Sequence, residues 1–542
     1  MTFPLKNASG KTVCGFFAAL ALTAGGVVEA KSPVKPVDVV VPPPVVVSAI
    51  EPWAAVPGAT VEWTLTGKDL AEARVIWSEP GISIEPVPTP GMKSGKGIFK
   101  VTAPAGAALG VGAFRLATPR GVSNPTLFLI DNLPTAKGSV DHRAPEKAQR
   151  VTPPVAIDGQ CEVEAIDYYR FHGKARQEFS AEVVAQRLGS SLDAVIRITG
   201  PDGRTLAECD DMEGLGSDPR LSVTLPQDGD YTIEVRDARY TGGPSHRYRL
   251  RLGAPPLSSA PAPLPPGILV VAETEPNDRI DQANNVAWPA IVRGSFAAAK
   301  DRDWLAFDVK KGESLRFTAF TQCFGSPALL YLRLTDAAGQ PLVEWSGANP
   351  KQEPMSYTFK ADGPARLMIE ELARRGGKGY DYALQIERAG RDFILNLSEN
   401  TLNLDANLTA KLNIEVTRRG ENGPIRLSVE GQSGWSLSPD VIEKDKTSAE
   451  VTINAPPDAK PGPCSIKIVG HGEGERATTA AASTTLAMSR QWPSLRFPPS
   501  FLDGLITANV LATPVKQPAA LTTESPKPAE PATTPAGKHD AK

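Results

Sequence analysis

An internal repeat constrains the fold of this chain more than any other feature of its sequence. The segment GSSLDAVIRITGPDGRTL, which starts at Gly189, matches GSPALLYLRLTDAAGQPL, which starts at Gly325, at an offset of 136 residues. At the same offset Asp167 falls on Asp303. A register that holds over this distance indicates two copies of one folding unit, and each copy is long enough to form its own core.

The segments inside and around the repeat alternate apolar and polar residues. This pattern runs through Tyr231–Val235 in the first copy, Val61–Thr66 before it and Ile425–Glu430 after the second copy. Alternation with a period of two is typical of half-buried β-strands, and the chain's 47 glycines and 51 prolines supply turns between them. The sequence therefore predicts an all-β fold, a string of β-sandwich domains joined by proline-rich linkers.

The N-terminus has the pattern of a secretory signal. Lys6 and Lys11 precede an apolar run over residues 13–28, and Val28-Glu29-Ala30 fits a cleavage site. A membrane anchor is the alternative, but the run is short and broken by polar and glycine residues. We expect an exported protein that is secreted, periplasmic or attached to the cell surface, without a membrane span once the signal is cleaved.

Composition shifts divide the chain further. The expected division is a signal at 1–30, a proline-rich linker at 31–45, a first domain at 46–133, the first repeat copy at 140–254, a second linker at 255–270, the second copy at 271–390, a last β-sandwich with a C-terminal extension at 391–510, and a disordered tail at 511–542. The extension from 489 onwards is interpreted as an added strand or a packing segment.

Charge and cysteine content bound the partners and the compartment. The net charge of −3 gives no basic field for nucleic acid. Cys14 lies in the signal, and the later cysteines show no zinc spacing. Cys161 and Cys209 fall in one unit and could pair after export, or they could stay free thiols together with Cys323 and Cys464.

Two stretches resemble known families. Residues 52–75, PWAAVPGATVEWTLTGKDLAEARV, are similar to the start of an immunoglobulin-like domain of the IPT/TIG type. The second copy, with Glu275-Pro276-Asn277-Asp278, Gly294, the run DRDWLAFDVKKGE from Asp301, and Tyr382-Ala383-Leu384, resembles the bacterial pre-peptidase C-terminal domain family. The resemblance implies jelly-roll-like sandwiches of the kind appended to secreted proteases and other exported proteins.

The first copy shares that resemblance from about Ile157 onwards. It lacks the Glu-Pro-Asn-Asp opening, because residues 144–154 read APEKAQRVTPP. It keeps Asp167-Tyr168-Tyr169-Arg170-Phe171 and a closing Tyr-Arg-Leu. We therefore expect the first copy to bind the family's metal poorly or not at all.

The resemblance also implies a calcium site. In the collagen-binding members of the family, a Glu-x-Glu-x-Asn-Asp opening and later aspartates bind calcium, which corresponds here to Glu273, Glu275, Asn277, Asp278, Asp301 and Asp303. This stretch also holds the densest set of oxygen ligands in the chain, and calcium takes six to eight oxygens. The alternative is a solvated acidic linker in which Asn277-Asp278 forms a turn.

No motif points to catalysis. The chain has no GxSxG, HExxH or P-loop pattern, and its five histidines lie singly: His142, His172, His246, His471 and His539. A second acidic group, Asp210, Asp211, Glu213 and Asp218, is interpreted as a solvated loop. We expect a non-catalytic binding or scaffolding protein that recognises an extracellular protein or polysaccharide. The alternatives are an accessory component of a secreted peptidase or other hydrolase, and a structural spacer.

Overall fold

The computed structural model describes fourteen stretches of the chain that together cover most of the expected domains. These are residues 45–70, 72–78, 81–88, 95–118, 121–211, 217–254, 257, 268–322, 326–348, 353–390, 392–405, 407–473, 478–496 and 498–511. The expected signal and first linker up to residue 44, most of the second linker, and the tail from 512 lie outside them. Nearly all regular structure in these stretches is β-strand, which confirms the all-β prediction. None of their helices has the length and apolar character needed to cross a membrane.

The first β-sandwich packs one sheet of order β1-β3-β6-β5 on another of order β2-β9-β7-β4, with β8 added to β7. Inward-facing Trp63, Phe99, Phe114 and Phe128 are almost fully buried between the sheets. Its strands are β1 (Val46–Glu51), β2 (Ala54–Ala55), β3 (Thr60–Lys68), β4 (Arg74–Ser78), β5 (Ser83–Val87), β6 (Lys96–Thr102), β7 (Gly110–Thr118), β8 (Gly121–Val122) and β9 (Thr126–Ile130).

The second sandwich has sheets of order β10-β12-β19-β14-β17 and β11-β13-β18-β15-β16. Its first strand precedes the expected domain start at residue 140. The strands are β10 (Thr135–Lys137), β11 (Gln149–Arg150), β12 (Val155–Gln160), β13 (Asp167–Gly173), β14 (Glu178–Val184), β15 (Ala194–Thr199), β16 (Thr205–Cys209), β17 (Arg220–Thr224), β18 (Gly229–Asp237) and β19 (Arg247–Leu252).

The third sandwich repeats this arrangement strand for strand, as β20-β22-β29-β24-β27 and β21-β23-β28-β25-β26. The common topology explains the sequence repeat. Its strands are β20 (Leu269–Ala272), β21 (Asn284–Asn285), β22 (Ala290–Ser295), β23 (Arg302–Val309), β24 (Ser314–Phe320), β25 (Leu330–Asp336), β26 (Pro341–Ser346), β27 (Met355–Thr358), β28 (Gly363–Glu371) and β29 (Asp381–Arg388).

The fourth sandwich has sheets of order β30-β32-β36-β34 and β31-β39-β37-β33-β35, with β38 added to β37. The expected C-terminal extension begins inside the short helix α1 (Thr485–Gln491) and supplies β39. The strands are β30 (Asp392–Leu397), β31 (Thr401–Leu404), β32 (Thr409–Arg419), β33 (Ile425–Glu430), β34 (Ser436–Ser438), β35 (Val441–Ile442), β36 (Ser448–Asn454), β37 (Gly462–Gly472), β38 (Thr479–Ala481) and β39 (Ile506–Val510).

Buried ion pairs join the first and second sandwiches. Asp131, just after β9, accepts a 2.9 Å hydrogen bond from Nε of Arg249 in β19, and both side chains are fully buried. Arg249 also donates to Asp158 at 2.8 Å, and Asp158 accepts from the backbone N–H of Trp53 at 2.8 Å. A buried charge is stable only with a partner, so these contacts fix the two sandwiches against each other.

The expectation of a solvated acidic loop is wrong for Asp218, and of the two alternatives left open for Cys161 and Cys209 the structure shows free thiols. Asp218 is not solvated: it is fully buried and accepts hydrogen bonds from the N–H of Gln186 and from Nε of Arg187, both at 2.7 Å. Asp210 and Asp211 are exposed as expected, and Glu213 lies outside the described stretches. Cys161 and Cys209 form no disulfide, and burial raises the pKa of the Cys161 thiol. Cys464 is also free, and Cys323 lies outside the described stretches.

Candidate metal centre

The candidate site lies where the chain enters the third sandwich. β20 ends at Ala272, and the backbone N–H of Glu273 still donates to the carbonyl of Arg293 in β22 at 2.9 Å. The segment Glu273–Asp278 then crosses to the other sheet, where the carbonyl of Asn277 accepts from the N–H of Trp304 in β23 at 3.0 Å. Both ends of this opening segment are therefore held by backbone hydrogen bonds.

Three carboxylates converge where the segment meets β23. Oxygens of Glu273, Glu275 and Asp303 all lie within 4.8 Å of one another. Asp303 is fully buried, Glu273 is half-buried and Glu275 is exposed. No Lys, Arg or His forms an ion pair with any of the three within the stretches that the structure covers. Such a group repels itself unless protons or a cation neutralise it.

The protein holds Glu273 from two sides. The N–H of Ser295 donates to its Oε1 at 2.7 Å, and the hydroxyl of Tyr382 donates to its Oε2 at 2.9 Å. Gly294 makes room for this arrangement, because a Cβ there would lie 2.4 Å from the Tyr382 hydroxyl oxygen and 2.6 Å from Oε2 of Glu273. Sequence reasoning used Tyr382 and Gly294 only as family markers and missed their part in the site.

The side-chain amide of Asn277 faces the same space. One of its two terminal atoms lies 3.1 Å from Oε2 of Glu275 and 2.9 Å from Oδ1 of Asp303. A nitrogen at that position donates to both carboxylates. An oxygen at that position meets only acceptors and would need a cation between them.

Burial and the neighbouring charges raise the pKa values of the acidic groups at the site. Burial, and then the charges of Glu273 and Asp301, raise the pKa of Asp303 to about 9. Burial, and then the charges of Asp301 and Glu273, raise the pKa of Glu275. Burial next to Asp303 and Glu273 holds the pKa of Tyr382 well above its ordinary value. All three shifts disfavour additional negative charge, because the acidic groups lie close together and are partly withdrawn from water.

Two of the six expected ligands stand outside the converging group. Oδ1 of Asp278 lies 3.4 Å from the N–H of Arg302, and Oδ2 of Asp301 accepts from the N–H of Ala297 at 2.5 Å. Both acids still add negative charge, because each raises the pKa of Glu275. The structure thus brings together Glu273, Glu275, Asn277 and Asp303, and places Asp278 and Asp301 beside them.

The residues present fit a hard divalent cation. The donors are carboxylate and amide oxygens, which calcium prefers, and no histidine or cysteine takes part. Oδ2 of Asp303 is buried and receives no hydrogen bond from the described part of the chain. A buried carboxylate oxygen without a donor is an unusual feature that a bound ion would explain.

The second sandwich also has an opening segment, and the sequence comparison placed it wrongly. The carbonyl of His142 accepts from the N–H of Tyr168 at 2.8 Å, as the carbonyl of Asn277 does from Trp304. The equivalent of Glu273–Asp278 is therefore the stretch 138–143, which reads GSVDHR, and not 144–154. The sequences share no residue there, so alignment by identity could not find the register.

Comparisons with known proteins support part of this description. Residues 165–237, within the second sandwich, match the family described as "Bacterial pre-peptidase C-terminal domain". A search of curated proteins gave no match.

Two solved structures show local likeness. The pre-peptidase C-terminal domain of collagenase from Bacillus anthracis matches with 15% identity and a TM-score of 0.16, over 19% of this chain and 93% of that one. PliG of Aeromonas hydrophila, a periplasmic inhibitor of g-type lysozyme, matches with 16% identity and a TM-score of 0.17, over 22% and 97%. At these scores neither structure bears on what this chain binds.

Proposed function

We propose that the third sandwich binds a calcium ion through Glu273, Glu275, Asp303 and the amide oxygen of Asn277. The observation that carries this proposal is the convergence of three carboxylates that have no basic partner among the described residues, one of them the buried Asp303, whose Oδ2 receives no hydrogen bond. Asp278 and Asp301 supply outlying negative charge, or ligate after a small movement. The second and third sandwiches share one topology, so we also assign the third to the pre-peptidase C-terminal domain family.

The proposed ion has a structural role. Glu273 and Glu275 belong to the opening segment, whereas Asp303 belongs to β23. A cation bound by all three would fasten the entrance of the third sandwich to its second sheet and remove the repulsion among the acids. Chelation should therefore loosen this entrance first.

For the whole chain we propose an exported, non-catalytic protein that binds a protein or polysaccharide outside the cytoplasm. The match at residues 165–237 supports this, as do the signal-like N-terminus and the succession of β-sandwiches. The first sandwich is assigned to the immunoglobulin-like IPT/TIG type on the resemblance of residues 52–75. A second candidate is an accessory component of a secreted peptidase or other hydrolase, which the description of the matching family favours.

Calcium titration of the full chain by calorimetry, with thermal melting in calcium and in chelator, tests the site. We expect one bound ion, a higher melting temperature in calcium, and loss of both effects in Asp303→Asn. Asp281→Asn is the matched control, because Asp281 lies close by, is exposed and pairs with Arg279. Identical melts with and without calcium would exclude the site. Arrays of extracellular matrix proteins and glycans, probed in calcium, would then test the binding function.

A further inference from the structure

The second sandwich contains a site equivalent to the candidate metal site of the third. We call this site the cage: its floor is a glycine, a tyrosine and a buried aspartate, and its rim is the opening segment. In both sandwiches, the first residue of the opening segment donates its N–H to the neighbouring strand: Gly138 to Asp158 at 3.0 Å, and Glu273 to Arg293 at 2.9 Å. The second backbone contact of each segment also matches, because the carbonyl of His142 accepts from Tyr168 as the carbonyl of Asn277 accepts from Trp304. The equivalent pairs are Gly138 and Glu273, Val140 and Glu275, His142 and Asn277, and Arg143 and Asp278.

The floor of the cage has the same three residue types in both sandwiches, although the tyrosine hydroxyl donates to the aspartate in the second and to Glu273 in the third. Asp167 is fully buried like Asp303, and the hydroxyl of Tyr248 donates to its Oδ2 at 2.6 Å. Gly159 makes room for Tyr248, because a Cβ there would lie 2.5 Å from the Tyr248 hydroxyl oxygen. This glycine, tyrosine and aspartate correspond to Gly294, Tyr382 and Asp303.

The rim differs in charge. In the second sandwich the two glutamates are absent, and the segment brings basic groups to the remaining acid. Nε2 of His142 lies 3.3 Å and Nε of Arg143 lies 3.8 Å from Oδ1 of Asp167, within ion-pair range, although neither donates a hydrogen bond to that oxygen. Nη2 of Arg143 also lies 3.7 Å from Glu162. His142 is only 3% exposed, so it is part of the cage and not a surface residue.

From this comparison we infer that Arg143, supported by His142, takes the place of a metal cation in the second sandwich. A buried carboxylate needs a positive partner. The second sandwich supplies this partner from its own chain, whereas the third takes up a metal ion. The inference rests on the calcium site proposed for the third sandwich. It follows that calcium fastens the opening segment of the third sandwich only. The second sandwich, which is joined to the first by the Asp131–Arg249 pair, keeps its opening segment in place without calcium.

Hydrogen exchange in the full chain tests this with one reporter amide in each sandwich. The N–H groups of Tyr168 and Trp304 each hold their own opening segment. In chelator, the amide of Trp304 should exchange faster and that of Tyr168 should not change. In Arg143→Met, the Tyr168 amide should exchange roughly fivefold faster with or without calcium, the size expected for a partly exposed ion pair. Arg143→Lys should largely restore protection.

Arg239→Met is the matched control, because Arg239 is an exposed arginine of the same sandwich. Unchanged exchange of Tyr168 in Arg143→Met, or equal exchange in the Met and Lys variants, would overturn the inference. If calcium does not change the exchange rate of the Trp304 amide, the proposed calcium site is refuted. The comparison of the Arg143 variants does not depend on that result.

A transplant provides a second test by gain of binding. The quadruple change Gly138→Glu, Val140→Glu, His142→Asn and Arg143→Asp gives the second sandwich the rim of the third. Calorimetry of the folded full chain should then show two bound calcium ions where the unaltered protein shows one. A folded transplant that still binds a single ion would contradict the equivalence.

Discussion

Asp303 and Asp167 occupy the same position in two copies of one fold, and both are fully buried. The neighbours of Asp167 are basic, whereas those of Asp303 are acidic. Burial alone makes a carboxylate costly, so the charge of its neighbours decides which form it takes. At Asp303 the neighbours favour a proton or a metal ion.

The raised pKa of Asp303 predicts how pH acts on the metal-free protein. Its ordinary value is 3.8 and burial raises it to about 9, so between these values the folded protein holds a proton that the unfolded chain releases. The stability that this bound proton contributes is therefore fully present below about pH 4 and is lost as the pH rises towards about 9.

The proposed calcium ion would displace that proton, so its affinity should rise with pH over the same range. Calorimetric titrations of the unaltered protein at about pH 6 and about pH 8 check this, with the tighter binding expected at the higher value. An equal Kd at the two pH values would show that no proton leaves when the ion binds.

The carboxylates of the candidate site were predicted from the family resemblance, in which Glu273 and Glu275 belong to one short motif and Asp303 follows at the next strand. The residues that hold these carboxylates in place could not be predicted from the sequence. The hydroxyl of Tyr382 reaches Glu273 across the sheet from a strand that lies 109 residues away in sequence. Which way a strand residue points depends on register and packing, and sequence spacing does not give this.

At the scale of elements, strands were more predictable than loops. Alternation in Tyr231–Val235 and Ile425–Glu430 predicted strands that the structure contains as β18 and β33. The charge of the acidic loop predicts exposure to solvent, but Asp218 is buried and accepts hydrogen bonds at the turn of Gln186 and Arg187. Local composition cannot show that a distant backbone N–H needs an acceptor.

The buried Asp218 predicts a large effect of substitution in this loop. Asp218→Ala should lower the free energy of unfolding by about 3 kcal/mol, because it removes a buried partner of Arg187 and leaves backbone donors unsatisfied. Urea unfolding measures this. Asp211→Ala, in the same loop but exposed, should change stability little, and equal effects of the two would contradict the assignment.

At the scale of the molecule, the sandwiches are not joined by linkers alone. The core of the first includes Val184 and Leu188 of the second and Met488 beside the C-terminal extension. The sequence predicted four units, but nothing in it showed that Asp131 and Arg249 would meet, because they are 118 residues apart. Contacts of this kind depend on tertiary structure.

The buried pair predicts cooperative unfolding of the first two sandwiches. Asp131→Ala should lower the free energy of unfolding by about 3 kcal/mol and separate the unfolding of the two sandwiches into two calorimetric transitions, because it leaves Arg249 with one buried partner fewer. Asp141→Ala, at an exposed site nearby, should leave the transition intact. A single unaltered transition in Asp131→Ala would show that the pair does not couple the two sandwiches.

The proposed calcium site in the third sandwich is tested most directly by terbium luminescence of the full chain. Terbium binds calcium sites and emits when nearby aromatic rings transfer energy to it, and Tyr382 and Trp304 adjoin Glu273 and Asp303. We predict sensitised emission that calcium displaces and that Asp303→Asn abolishes, with Asp281→Asn unchanged. Emission that is absent, or that persists in Asp303→Asn, would contradict the site.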